Sequence, residues 1–453
     1  MVVNWLKKQA LENPHKLFLN ELSFQEVDRR VTDLAGRIYP FVKAEDRVAL
    51  YAHNSVDMAL FFLALQALQI EVFMMNTRLT PEERAKKLKT LNIRVAFSDD
   101  DTFIPLGRVL AGDYDGQARC REEDAPEKIA VIMDTSATSG DYKSVPLRRK
   151  QFAAHVQASR QVLGVREEDN WLLVLPLYHI GGLAILMRSL YNGTRVTLMG
   201  KFDEEQILKG IEEGSLTMLS LVPTLLMRIV NRIRRHHLRV VLVSGEFIPK
   251  SLVETCLEKG IPIYKSYGMT ETTSQCTTFC VAENPGKLDS VGLPLPGVTL
   301  RIVNPDGSGI GEVLVQSPLV MDGYLGQEPA GGFINTQDMG YVDEEGYLYI
   351  LDRRKDILIS GGENIYPQEI EQVLYAHPEI SECAIVGMKD EKWGQVPVLF
   401  VVSSLEDEEI MDYLARKLAR YKLPRKIVHL RWLPRNATGK ILKKDLAELA
   451  YAD

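Results

Sequence analysis

The run Thr135-Ser136-Ala137-Thr138-Ser139-Gly140-Asp141-Tyr142-Lys143 gathers hydroxyls, a turn glycine and one ammonium into a short segment. A polyphosphate needs short donors from several directions and a mobile point charge, which such a loop and Lys143 supply. It is not a Walker A loop, because Tyr142 precedes the lysine and the upstream glycine is absent. A polar surface turn is the plainer alternative. In Ser266-Tyr267-Gly268-Met269-Thr270-Glu271-Thr272-Thr273-Ser274, an aromatic before glycine can stack on a flat base. Thr270 can bond a phosphate there, and Glu271 can hold the magnesium that a polyphosphate brings; a hydroxyl-rich turn is again the alternative. Asp338 of Thr336-Gln337-Asp338 can hydrogen-bond a ribose, and Asn436-Ala437-Thr438-Gly439-Lys440 is a Gly-Lys loop, weak evidence alone. His179 sits in a Pro/Gly loop beside Tyr178. A lone histidine is more often structural, but this one follows a strand's C-terminal end, where open α/β sheets bind ligands.

These residues need a scaffold, and the pattern between them alternates strand and helix. Residues 47–52, 93–98 and 128–134 read as buried strands, with an apolar helix over 56–70. Thr80 is the N-cap of a further helix, with Pro81 at its first position and Glu83 closing a capping box. Strands follow at 171–175, 194–198, 216–221, 239–244 and 262–265, with helices over 183–191, 204–213 and 224–235. That alternation predicts parallel sheet covered by helices. From Asp289 the chain turns to Gly, Pro and short alternating strands (300–303, 311–316, 341–343, 347–351), a small antiparallel sheet or barrel. The remainder is a compact α+β unit, with helices over 368–377 and 407–421 and strands at 383–386, 398–402 and 426–430.

Between these units lies 351–367, with Arg353, Arg354, Lys355 and Asp356 in a row. Adjacent charges cannot all face a core, so 352–356 is expected to be solvated. A strand at 357–359, a turn at Gly361-Gly362 and a helix opening at Tyr366-Pro367 follow. A charged interdomain linker before a hairpin explains the stretch equally well.

At 453 residues the chain holds two or three domains, and 45% hydrophobic with 25% charged residues is a globular composition. A net charge of −7 gives no reason to expect nucleic acid or an anionic membrane as partner. Five cysteines make no disulfide framework, and Cys276 with Cys280 lacks the second half of a metal site; a reducing cytoplasm fits. The start of the chain has no apolar signal core. Residues 171–187 carry no formal charge, but Pro176, His179, Gly181 and Gly182 interrupt them, so they read as strand, loop and helix rather than a membrane span.

Taken in order, the motifs resemble the adenylate-forming superfamily of acyl-CoA synthetases, adenylation domains and luciferases, over essentially the whole chain. Within it, L-P-L-Y-H-I-G-G-L, S-Y-G-M-T-E-T-T-S-Q, D-R-R-K-D-I-L-I-S-G-G-E-N-I-Y-P and K-W-G-Q-V-P are similar to the 2-succinylbenzoate–CoA ligases of bacterial menaquinone synthesis. The resemblance implies an α/β fold: a large N-terminal domain of stacked, mainly parallel sheets with helices plus a small β-barrel-like subdomain (1–354), and a small mobile α+β C-terminal domain (355–453). It implies ATP-dependent acyl-CoA formation through an acyl-adenylate, with Mg²⁺, and with ATP, CoA and an aryl keto-acid as small-molecule partners. A homodimer stays open. Another aryl or acyl-CoA ligase, a carrier-loading amino-acid adenylating enzyme and a catalytically silent nucleotide-binding scaffold are the other readings. For the residues, it implies catalysis by Lys440, Glu271 (the magnesium ligand), Thr270 and Lys143. ATP would meet Thr135, Ser136, Thr138, Ser139, Gly140, Gly245, Glu246, Tyr267, Gly268, Asp338 and Arg353. The acyl acid would meet His179, Ser266, Gly268, Thr272 and Thr273; Lys355 would be the hinge, and Ser360, Gly361 and Gly362 would line the pantetheine path. The chain departs from the family pattern at Ala137, Ser139, Tyr142, Gln337 and Ser244-Gly245-Glu246.

Overall fold

The computed structural model describes residues 2–112, 120, 125–135, 143–328, 331–361, 363–436 and 439–451. The short apolar strands pair into two large sheets. One has six strands in the order Ile104–Pro105, Ala96–Ser98, Arg47–Tyr51, Glu71–Met74, Ile129–Thr135 and Lys143–Arg148, all parallel except the last pair. The other has nine, and its centre runs parallel through Ile263–Met269, Val240–Val243, Met218–Leu221, Asn170–Leu173 and Arg195–Leu198. Helices Phe24–Val42, Val56–Ala67, Arg149–Leu163 and Ile180–Asn192 share one hydrophobic core with strands of both sheets. Val56–Ala67 is apolar all round, as a helix enclosed on every side must be, and ten of its residues are buried. A second core joins the nine-stranded sheet to Glu204–Glu212, Pro223–Val230 and Lys250–Glu258. Thr80 and Glu83 form the capping box that their spacing predicts, with Pro81 beginning the helix.

A four-stranded antiparallel sheet follows, in the order Thr299–Val303, Gly311–Gln316, Ile334–Val342, Leu348–Arg353. The last five-stranded sheet (Leu358–Ser360, Glu363–Ile365, Ile380–Asp390, Gly394–Ser403, Lys426–His429) has its own two cores beneath helices Pro367–Tyr375, Asp407–Ala415 and Lys443–Ala450. Among the described residues no helix is long and apolar enough to cross a membrane.

Four local expectations are corrected. The helix expected over 183–191 begins at Ile180, with His179 as its N-cap instead of in a loop. The glycines do not break this turn; they allow it, because a Cβ on Gly182 would lie 2.4 Å from the Pro176 carbonyl. The strand expected to stop at 265 continues to Met269, paired with Ser274–Cys280, so only Thr270–Thr272 forms the turn. The helices expected over 224–235 and 407–421 end early, at Val230 and Ala415. Asp352 is not solvated: it lies within the strand Leu348–Arg353 and is 2% exposed. Its carboxylate accepts from the Arg353 N–H at 2.9 Å and from the Gln368 N–H at 3.1 Å, in the first turn of Pro367–Tyr375. Burial pushes its pKa up to about 7, against the pull of the nearby Lys443 charge and of the Gln368 N–H.

Candidate active site

The parallel strands Asn170–Leu173, Met218–Leu221, Val240–Val243 and Ile263–Met269 end on one edge of the nine-stranded sheet, where doubly wound sheets bind ligands. A cavity of about 1800 Å³ opens there. Thr135, Lys143, His179, Gly245, Glu246, Tyr267, Thr270, Glu271, Asp338, Arg353, Lys355 and Lys440 all line it, although the chain separates the first from the last by some three hundred residues. Ser136, Thr138, Ser139 and Gly140, with Gly362, lie outside the described residues.

In the ribose corner, the Tyr267 hydroxyl donates to Asp338 Oδ2 at 2.5 Å, and Arg353 Nε lies 3.4 Å from Oδ1. Burial raises the Asp338 pKa, and Arg353 opposes the rise. Burial and the Asp338 charge hold the Tyr267 phenol well above its usual range, so it remains a donor. Asp338 follows Gln337, whose φ of +64° is a glycine-like conformation. A side chain held there costs on the order of 1 kcal/mol. The Gln337 N–H donates to Asn335 Oδ1 and its carbonyl accepts from the Arg354 N–H, which pins the strained residue.

Lys440 comes from the C-terminal unit. Gly439 at φ +90° turns the loop against Thr224 and Val222, and the Lys440 N–H donates to Asn436 Oδ1 at 2.9 Å. Glu246, expected along the base edge, accepts from the Ile441 N–H at 3.0 Å and lies 3.9 Å from Arg435, so its carboxylate seats the lysine loop. Burial pushes Glu246 up to about 7, with Arg435 and Lys440 pulling against it. Burial, and then the Arg353 charge, lower Lys440 to about 8, while Glu246 and Asp338 resist.

In the acyl corner, His179 Nε2 is buried without a hydrogen-bond partner among the described residues. Burial lowers that imidazole to about 4, so it is neutral at pH 7. Ser266 donates to the Thr277 carbonyl at 2.9 Å, and a Cβ on Gly268 would lie 1.8 Å from the Ser274 carbonyl. Thr272 and Thr273 do not meet the cavity as expected. Both are fully buried, Thr272 bonded to the Met269 N–H and the Ser274 carbonyl, Thr273 to the Leu319 carbonyl. Ser274 and Gln275 line the wall in their place. Ser360 and Gly361 are also away from the cavity. Gly361 has a local reason for lacking a side chain: φ is +60° and a Cβ would lie 2.8 Å from the Trp393 ring.

Sequence reasoning passed over Arg188. It is fully buried on Ile180–Asn192, and among the described residues no carboxylate pairs with it. Its guanidinium donates to Gln275 Oε1 at 2.6 Å and Ser274 Oγ at 3.3 Å, and lies over the Trp171 ring. Burial lowers it to about 9, which leaves it charged at neutral pH. An arginine in the middle of an apolar helix with no acidic neighbour was the available signal. It stands one residue beyond the uncharged run 171–187.

The model of the AMP-binding enzyme family matches residues 6–325, and that of the AMP-binding enzyme C-terminal domain matches 369–440. A 2-succinylbenzoate–CoA ligase from Lactococcus lactis is 46% identical over 459 residues, covering 98% of this chain and all of that one. The o-succinylbenzoate CoA synthetase of Bacillus subtilis in complex with the acyl-adenylate intermediate OSB-AMP superposes with a TM-score of 0.91 at 33% identity, covering 98% of this chain and 97% of that one. A double mutant of the same enzyme, bound with its product analogue OSB-NCoA, gives 0.75 at 33% identity over the same shares. The chain belongs to the AMP-binding enzyme family.

Proposed function

We propose that this chain joins 2-succinylbenzoate to CoA at the expense of ATP, through an acyl-adenylate, releasing AMP and pyrophosphate, as a cytoplasmic step of menaquinone (vitamin K2) biosynthesis. Full-length likeness to ligases of that name carries the reading, and Arg188 gives the substrate a physical footing. A keto-dicarboxylate keeps one carboxylate unreacted, which needs compensation once buried. Arg188 supplies positive charge behind Ser274 and Gln275 on the cavity wall. A carrier-loading amino-acid enzyme would need a carboxylate there to hold the substrate amine, but the buried charge is a cation.

In the first step the substrate carboxylate attacks the α-phosphate and pyrophosphate leaves; in the second the CoA thiol displaces AMP from the mixed anhydride. Tyr267 lies along the adenosine, with Asp338 and Arg353 at the ribose, Thr135, Thr270 and Lys143 at the phosphates, and Lys440 neutralising charge that develops on the α-phosphate. Glu271 is a buried carboxylate on the cavity wall, and among the described residues no cluster of three His, Cys, Asp or Glu offers another metal site. One carboxylate suits magnesium, which keeps most of its ligands as phosphate oxygens and water. When bound it lowers the charge repulsion of the polyphosphate. Lys355 is the hinge between 1–354 and 355–453, and the second step brings Ser360, Gly361 and Gly362 to the pantetheine.

ATP-to-AMP conversion over a panel of acids tests the reading. AMP release is expected to require both CoA and 2-succinylbenzoate. Amino-acid-dependent pyrophosphate exchange would instead mark the carrier-loading enzyme, and AMP with other acids alone another acyl-CoA ligase. Lys440 adds a pH signature. It works as a cation, so the free enzyme's rate of adenylation at low ATP should fall as pH rises through about 8, while thioester formation from supplied acyl-AMP should not follow that titration.

A further inference from the structure

Lys143 and Glu271 carry opposite charges on the wall of one cavity, and Tyr324 stands between them. Its ring lies 4.7 Å from the Lys143 ammonium, measured to the centroid, and its hydroxyl donates to Glu271 Oε1 at 2.9 Å. The segment that carries it is fastened at both ends to the elements it bridges. The Met321 N–H donates to the Glu271 carbonyl at 2.8 Å, and the Leu325 N–H donates to the carbonyl of Ser144, the neighbour of Lys143, at 3.0 Å. Behind it, the Gln151 side chain holds the Val320 carbonyl at 2.8 Å and Arg148 holds Asp322.

We propose that Tyr324 is a positioning residue of the adenylation step, keeping Lys143 and Glu271 apart and aimed so that neither neutralises the other before Mg–ATP arrives. The assignment rests on the adenylate-forming reading above. A phenol suits both neighbours, because its face attracts an ammonium and its polar tip fixes a carboxylate oxygen. Without the ring, a flexible lysine and a buried carboxylate on one wall collapse into an ion pair. The incoming phosphates and metal then have to break that pair.

Tyr324→Leu removes ring and hydroxyl; Tyr324→Phe removes the hydroxyl alone. The readouts are calorimetric binding of ATP with and without Mg²⁺, half-saturating Mg²⁺ in pyrophosphate exchange, and thioester formation from supplied acyl-AMP. Tyr324→Leu is expected to weaken Mg–ATP binding on the order of ten-fold, the size of a partly buried cation–π contact. Tyr324→Phe should recover most of that affinity while still needing more Mg²⁺ for half-saturation, and both variants should keep the thioester step. Wild-type Mg–ATP binding in Tyr324→Leu, or equal loss of both half-reactions, overturns the proposal. If the leucine variant does not fold, an unchanged Mg²⁺ requirement in Tyr324→Phe overturns it. A wild-type protein that binds Mg–ATP but makes no AMP with any acid would refute the proposed reaction, and the binding comparison would still decide the role of Tyr324.

Discussion

Lys440→Ala is expected to lose ATP–pyrophosphate exchange by on the order of 10²–10³-fold while forming thioester from supplied acyl-AMP at close to the wild-type rate. The asymmetry follows from where the charge is needed. Negative charge builds on the α-phosphate only while the carboxylate attacks and pyrophosphate leaves. One preorganised donor lost from such a site costs about 3–4 kcal/mol. Lys440 is a cation that the C-terminal unit delivers to the cavity, near Asp338 and Arg353, and Glu246 holds its loop through the Ile441 N–H. Once the anhydride exists, the leaving group is AMP and the phosphorus is no longer attacked, so the lysine has little left to stabilise. Isotope exchange between pyrophosphate and ATP, with discontinuous assay of thioester from synthetic acyl-AMP, separates the two steps. Equal loss in both would mean that Lys440 holds the fold of the C-terminal unit instead of acting in the first reaction.

The parts of this site that were legible in the sequence are those whose chemistry sits in the residue types themselves. Lys143, Tyr267 with Glu271, Asp338 and Lys440 each carry groups that a nucleotide needs, and all of them line one cavity. The parts not legible depend on partners distant in the chain. Thr272 and Thr273 resemble Ser274 in composition, but the turn at Thr270–Thr272 and bonds to the Met269 N–H and the Ser274 and Leu319 carbonyls hold the threonines inward, while Ser274 lines the wall. Asp352 belongs to a solvated run by composition and is buried where a helix from the next unit sets its Gln368 N–H on the carboxylate. Gln337 shows the converse. It stands where the family pattern has glycine, and the backbone adopts the glycine conformation regardless, so the sequence departs from the motif while the chain geometry does not.

That same bond from Gln368 to Asp352 bears on the second large effect, because it spans Lys355 and can persist in only one arrangement of the two units. Lys355→Pro is expected to slow thioester formation by about a hundredfold or more, about 2.7 kcal/mol in barrier terms, and to reduce adenylation only several-fold. In the present arrangement Lys440 faces the cavity while Ser360 and Gly361 do not, and the chain superposes better on the OSB-AMP complex of the Bacillus subtilis enzyme than on its OSB-NCoA complex. On the proposed two-step reaction the thioester step needs a rotation, and we propose as the backbone for it the turn in which the Asp356 N–H donates to the Arg353 carbonyl at 2.9 Å. Lys355 is the third residue of that turn, and among the described residues its own N–H makes no backbone bond. Proline there deletes no such bond but fixes φ near −65°, which removes the freedom that rotation requires. Proline is disfavoured at the third position of common turns, hence the smaller loss in adenylation. Lys355→Ala keeps both the turn and the rotation and should leave the two half-reactions close to wild type. If Lys355→Pro lowers both steps equally while Lys355→Ala lowers neither, the turn matters only for stability and the hinge lies elsewhere.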